Sequence, residues 1–247
     1  MITHLARLPR PGLLGTVVAS LYLVACGSGD PRGTARESAT PAVDAPVTPV
    51  SDDRPRLVTL GDSLTAGLGL EPHEAYPAVL QRRLDAAGLG LRVVNAGVSG
   101  DTSAGGASRL AWALEGDVRV LIVALGGNDA LRALPSEELR RNLGQIITSA
   151  KARSIPIILA GMEAPPNLGQ DYTLAFRAVY RSVAKEHDVT LLPFLLEGVA
   201  GVEHLNQRDG IHPTAAGARL IADHLWPLVE PMARSALASS RGGAPRG

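Results

Sequence analysis

Between residues 56 and 231 the chain alternates between two patterns of apolar and polar positions. Short apolar runs stand at 56–60 (RLVTL), 91–95 (LRVVN), 118–125 (VRVLIVAL), 155–161 (IPIILAG) and 189–194 (VTLLPF). Each has the length of a strand and is punctuated by glycine, proline or polar residues. The run 118–125 is the most continuous, as expected for a strand buried on both faces. Helical patterns fill the intervals, at 76–87, 103–114, 136–152, 170–186 and 214–229. In the first of these Val79, Leu80 and Leu84 share a face, and Pro77 falls in the first turn, where a missing N–H costs little. In 136–152, Ser136 is the expected N-cap, Glu137 and Glu138 occupy the first turn and Lys151 lies near the end, each favourable to the helix dipole.

Strand and helix in alternation, with short connections, predict a parallel sheet covered by helices on both faces. Sites in such sheets form at the carboxyl ends of the strands, which supplies a filter for candidate chemistry.

The first 55 residues follow different rules. Arg7 and Arg10 precede an apolar stretch at 13–25, which is shorter than the ~20 residues of a membrane span and has the form of a signal sequence. It ends Leu23-Val24-Ala25-Cys26, and Cys26 is the sole cysteine, so no intramolecular disulfide can form. This ending resembles the bacterial lipobox, in which the thiol is acylated and becomes the mature N-terminus. Residues 1–25 are therefore expected to be a lipoprotein signal peptide. Residues 26–55, rich in Gly, Ser, Thr, Pro and Asp, lack the apolar periodicity to bury a face and are expected to be the lipidated Cys26 and a disordered tether. The folded domain is expected over 56–232 and a disordered tail over 233–247. The expected location is outside the cytoplasm, anchored to a membrane.

Charge narrows the partners. Lys plus Arg and Asp plus Glu are balanced at 24 each, with aromatics at 3%. That argues against a nucleic-acid partner, which normally meets a clustered basic surface. Scarce aromatics likewise offer little platform for stacking on sugars.

Four polar, glycine-rich segments pass the strand-end filter: GDSLTAG (61–67), NAGVSGDTS (95–103), GGND (126–129) and DGIHP (209–213). Ser63 sits where the first strand ends, so its hydroxyl can project from the sheet edge. A serine hydroxyl needs a base to take its proton. His212 is the candidate, because imidazole titrates near neutrality. Asp209, three residues earlier, can accept a hydrogen bond from Nδ1 of His212 and fix its tautomer. The chain order Ser, Asp, His is one that catalytic triads use. For a tetrahedral oxyanion, the backbone N–H groups of Ser63 and Gly100 and the side-chain amide of Asn128 are candidate donors. An Asp-rich metal site from Asp62, Asp101 and Asp129 is conceivable, but carboxylates at strand ends more often organise loops, and no histidine cluster accompanies them. GLGL (67–70) hints at a nucleotide loop, yet no G-x-G-x-x-G follows the first strand and no Walker lysine is present.

Taken together these blocks resemble those of the SGNH (GDSL) hydrolases, in the acyl-CoA thioesterase I / lysophospholipase L1 / arylesterase subgroup. The resemblance spans about 56–231 and is carried by LGDSLTAGLGL, VVNAGVSGDTSAGGASRL, LGGND, PPNLGQDY, DVTLLPFLLEGV and DGIHPTAAG. It implies a three-layer α/β/α flavodoxin-like fold with a mostly five-stranded parallel sheet, and no metal or cofactor. It also implies Ser63 as nucleophile, Gly100 and Asn128 as oxyanion donors, His212 as base and Asp209 as its partner. Hydrolysis of aryl esters, short to medium acyl esters, lysophospholipids or thioesters follows as the expected activity, performed by a monomer. The segments 162–172 and 195–205 are expected to wall the acyl pocket. The rival readings are a carbohydrate or peptidoglycan O-deacetylase on the same fold and a non-catalytic lipoprotein that binds a ligand.

Overall fold

A computed structural model describes residues 52–241. Within them five strands form one parallel sheet: β1 (Arg56–Gly61), β2 (Arg92–Gly97), β3 (Val118–Ala124), β4 (Ile157–Ala160) and β5 (Thr190–Leu192). Their order is β2-β1-β3-β4-β5, with every neighbouring pair parallel. The chain leaves β1 toward one edge for β2 and then crosses to β3 on the other side. The gap between the ends of β1 and β3 is thus the topological switch point of a flavodoxin-like sheet. β3 has six of its seven residues buried, consistent with a central strand covered on both faces.

Eight α-helices accompany the sheet among the described residues: α1 (Ser63–Ala66), α2 (Tyr76–Ala86), α3 (Ser103–Ser108), α4 (Leu110–Ala113), α5 (Gly127–Leu131), α6 (Ser136–Lys151), α7 (Gln170–His187) and α8 (Ala215–Arg241). α2 packs on α8, while α6 packs on both α7 and α3, giving a helical layer to each face. A single apolar core joins them, from Leu57 and Leu80 through Ile122 and Ile146 to Phe176 and Val229.

Several predicted boundaries need correction. Ser136 is not the N-cap of α6; Pro135 holds that position and the serine is the first helical residue. Proline already has the φ that entry into a helix requires, so no side-chain cap is needed to set the turn. The helix expected over 103–114 is two helices, broken at Arg109 (φ −103°, ψ 7°). Its guanidinium turns inward to three acceptors outside the helix. β4 and β5 are shorter than their apolar runs, because Pro156 and Pro193 cannot donate to the ladder.

The last helix does not end near Val229, and 233–241 are not disordered tail. α8 continues through Pro227 and Pro231 to Arg241. Each proline deletes a helical hydrogen bond, but Val229 and Ala233 are fully buried and Met232, Ala236 and Leu237 pack beside them. Burial on that face outweighs the missing bonds. The expected signal peptide, the expected lipidation site Cys26 and nearly all of the expected tether lie outside the described residues.

Candidate active site

The site is assembled at the carboxyl ends of β1, β2 and β3. β1 ends at Gly61, where a Cβ would stand 1.9 Å from Thr65 Oγ1 and 2.9 Å from the Ala124 carbonyl, so only glycine lets α1 turn back this tightly. Asp62 caps α1, its Oδ1 accepting the Leu64 N–H at 3.0 Å. Ser63 is the first helical residue, held at the strand–helix turn. Below it the Thr65 and Tyr76 hydroxyls share a buried hydrogen bond of 2.8 Å, which fixes α1 against α2.

His212 reaches Ser63 from the far end of the chain. Its Nε2 lies 2.9 Å from Ser63 Oγ, and its Nδ1 lies 2.7 Å from Asp209 Oδ2. The other oxygen, Oδ1, accepts the backbone N–H groups of Ile211 (2.9 Å) and His212 (3.0 Å). These backbone bonds, then the imidazole contact, hold the Asp209 carboxyl down at about 2. An ionised Asp209 selects the tautomer with the proton on Nδ1, leaving the Nε2 lone pair facing the serine hydroxyl. The loop itself is closed by an antiparallel bridge between Asn206 and Pro213 and by the Gln207 N–H donating to the His212 carbonyl at 2.7 Å.

The three candidate oxyanion donors border one cavity of about 660 Å³, whose lining includes Ser63, Gly100, Asn128 and His212. Asp209 stands behind the imidazole, outside that lining. Gly100 takes φ +85°, a left-handed conformation suited to glycine. Asn128, near the start of α5, directs Nδ2 to Asp62 Oδ2 at 3.3 Å. Asp62 is 2% exposed, and burial pushes its carboxyl up to about 6 despite the bonds from Leu64 and Asn128.

The three acidic residues weighed as metal ligands have other partners. Asp62 bonds Leu64 and Asn128, Asp101 pairs with Arg109 at 2.6 Å, and Asp129 accepts from Ser103. Among the described residues no group of His, Cys, Asp and Glu is clustered to hold an ion. The remaining walls are mostly apolar, with Ser99, Glu163 and Asn206 as polar exceptions: Met162, Ala164, Pro165 and Pro166 come from the loop after β4, Phe194, Leu196 and Ala200 from the segment after β5, and Leu68, Leu131 and Ile211 stand at the mouth. Both segments expected at the pocket do contribute to it. Sequence reading overlooked Gln207 and Arg109 as organisers of the site, and read Asp129 as a loop organiser without its partner Ser103. A polar residue flanking a motif carries no label of its own, and what these contact is decided by the fold.

This fold and site define a class of serine hydrolase built on a flavodoxin-like parallel sheet, in which serine, histidine and aspartate meet at the strand ends. Residues 59–220 match the GDSL-like Lipase/Acylhydrolase family, and the chain belongs to that family. Esterase TesA of Pseudomonas aeruginosa is 42% identical over 177 residues, 71% of this chain and 88% of that protein. Thioesterase 1/protease 1/lysophospholipase L1 of Escherichia coli K12 is 39% identical over 177 residues, 71% of this chain and 84% of that protein. A crystal structure of TesA superposes with a TM-score of 0.69 at 42% identity, covering 72% of this chain and 99% of that one.

Proposed function

We infer that the protein is a serine esterase that hydrolyses carboxylic esters or thioesters through an acyl-enzyme on Ser63. The observation that carries this is the unbroken chain of contacts Asp209–His212–Ser63, at 2.7 and 2.9 Å. In the reaction His212 Nε2 takes the Ser63 proton as Oγ attacks the carbonyl carbon. The resulting oxyanion is held by the N–H groups of Ser63 and Gly100 and by the Asn128 amide. Collapse expels the alcohol or thiol, which leaves with the proton from His212. Water, deprotonated by the same nitrogen, then attacks the acyl carbon; the bond to Ser63 Oγ breaks, Oγ takes the proton back from His212, and the carboxylic acid is released. Asp209 stays ionised throughout and stabilises the imidazolium.

The cavity bears on the substrate. Its length of apolar wall, from Met162 and Ala164 to Leu196, suits an acyl chain better than an acetyl group, which favours the esterase over the O-deacetylase. Relatives named esterase and thioesterase/lysophospholipase agree with an enzyme rather than a non-catalytic binding module. We propose that it acts as a monomer; a dimer mass by light scattering would contradict it. The test of the main reading is hydrolysis of p-nitrophenyl esters from acetate to palmitate by the parent and by Ser63→Ala. Turnover that disappears in the variant, with medium chains preferred, is the expected result. Activity that survives the substitution removes Ser63 from the mechanism.

We further propose an extracytoplasmic enzyme anchored by lipid on Cys26. The apolar stretch 13–25 ending in Ala25-Cys26, followed by the polar segment 27–55, supports this. No helix of the described residues is long and apolar enough to cross a membrane. Incorporation of labelled palmitate that is abolished by Cys26→Ala is the expected outcome; equal labelling of both would exclude that site.

A further inference from the structure

The loop between β2 and α3 carries Gly100, and charged side chains outside the cavity lining grip it from both sides. On one side stands Arg109, whose side chain is 17% exposed. Its Nη2 donates to the Gly61 carbonyl at 2.8 Å, its Nη1 to the Ala96 carbonyl at 2.7 Å and its Nε to Asp101 Oδ2 at 2.6 Å. Gly61 lies two residues before Ser63, and Asp101 directly follows Gly100. A guanidinium presents its donors in a rigid planar fork, so the three acceptors are fixed relative to one another.

On the other side stands Asp129, 1% exposed and next to Asn128. It accepts the Ser103 N–H at 2.7 Å and the Ser103 hydroxyl at 2.5 Å. Asn142 of α6 donates to the same hydroxyl oxygen at 2.9 Å. One clamp therefore joins the Ser63 turn to the Gly100 loop, and the second joins the Gly100 loop to the Asn128 turn. The break between α3 and α4 falls at Arg109 itself, so the helix is interrupted where the first clamp is made.

The geometry points to Arg109 and Asp129 as positioning residues that set the spacing among the Ser63 N–H, the Gly100 N–H and the Asn128 amide. This rests on the oxyanion role given to those three groups above. Preorganised donors act only if they lie where the charge develops. A displacement of about 1 Å can cost roughly a hundredfold in rate without a new contact to substrate. Neither side chain touches the cavity, so substrate binding is left alone and the loss falls on the chemical step.

The experiment compares full-length parent, Arg109→Lys, Asp129→Asn, Asn128→Ala, Ser63→Ala and the Asp129→Asn/Asn128→Ala double variant on p-nitrophenyl butyrate. Assays are run well below each melting midpoint, so that partial unfolding does not count as lost turnover. Lysine keeps the charge of Arg109 but cannot span three acceptors. The expected result is kcat lowered roughly 10- to 100-fold in Arg109→Lys and Asp129→Asn, with KM within about twofold. In the double variant the two losses combine to less than their product, because the donor that Asp129 positions is already gone. Unchanged kcat in the folded clamp variants, or fully multiplicative losses, would overturn the inference. Should Asp129→Asn not fold, Ser103→Ala replaces it, removing the hydroxyl bond and keeping the backbone one. Ser63→Ala separates the two claims. If it is inactive while the clamp variants are normal, only the clamps fail; if it is active, the catalytic reading fails.

Discussion

Gln207 and Leu68 are 139 residues apart, yet Gln207 Nε2 donates to the Leu68 carbonyl at 2.7 Å. The same nitrogen donates to the Pro213 carbonyl at 2.9 Å. One amide thus ties the loop that holds His212 to the turn that follows Ser63. The 2.9 Å separation of imidazole and hydroxyl depends on two segments from opposite ends of the domain, and this side chain spans them. Gly69 makes room for it, since a Cβ there would stand 2.2 Å from Gln207 Oε1.

Gln207→Ala is accordingly expected to lower kcat by roughly tenfold, with a smaller effect on KM, because the base and nucleophile lose their register. Gly69→Ala should reproduce part of the loss by pushing the amide away. Steady-state kinetics on one activated ester measures both. Full activity in Gln207→Ala would show that the His212 loop holds its place without the tie.

Asp209→Asn tests the tautomer argument. The carboxyl sits at about 2, below its ordinary value, so it stays charged at any pH at which the enzyme works. Its contribution to folding is present above the ordinary carboxylate value and is lost as pH falls through about 2. Protonation of Asp209 therefore does not set the acid limb of the activity profile. The variant is expected to lose roughly 10³- to 10⁴-fold in kcat, as when a triad aspartate is replaced by its amide. A loss under tenfold would mean that the backbone bonds alone orient the ring.

Asp62 predicts the opposite pH dependence. Its carboxyl is raised to about 6 by burial, so the folded protein keeps a proton that the unfolded chain releases near 3.8. The stabilisation is complete below about 4 and is lost as pH rises through 6. A shift of that size corresponds to roughly 3 kcal/mol. Asp62→Asn should flatten the stability profile between pH 4 and 8, as read from urea unfolding midpoints. Parallel profiles for parent and variant would assign that pH dependence to another group.

The apolar wall makes a prediction about chain length. Ala164→Phe places a large ring in the cavity beside Met162 and Pro165. Turnover of acetate esters should be nearly unchanged, while kcat/KM for decanoate and longer esters falls by about tenfold or more, consistent with several lost methylene contacts. An equal effect on all chain lengths would place the acyl group elsewhere.

The strands and most helices could be read from local pattern, because burying one stripe or both faces demands a matching periodicity. The uninterrupted run 118–125 is β3, and the pattern over 136–152 is α6 within a residue at each end. The family blocks were legible as well, because four such segments fall in order at strand ends, although each alone would pass for an ordinary turn. Where an element ended was less legible. α8 passes two prolines that locally signal a stop, and the helix over 103–114 breaks at a residue that is an ordinary helix former.

Local order in the chain therefore determined the sheet elements, the strand-end motifs and the identity of Ser63, Asp209 and His212 as candidates. It did so because hydrophobic period and turn chemistry act over a few residues. Tertiary structure alone decided that His212 lies 2.9 Å from Ser63, that Gln207 bridges to Leu68, and that Arg109 and Asp129 grip the Gly100 loop. It also decided that Val229 and Ala233 carry α8 past its prolines. Each of these is a contact between segments distant in sequence. Such contacts form when the core closes and buried polar groups must find partners, and no local pattern encodes which partner will be within reach.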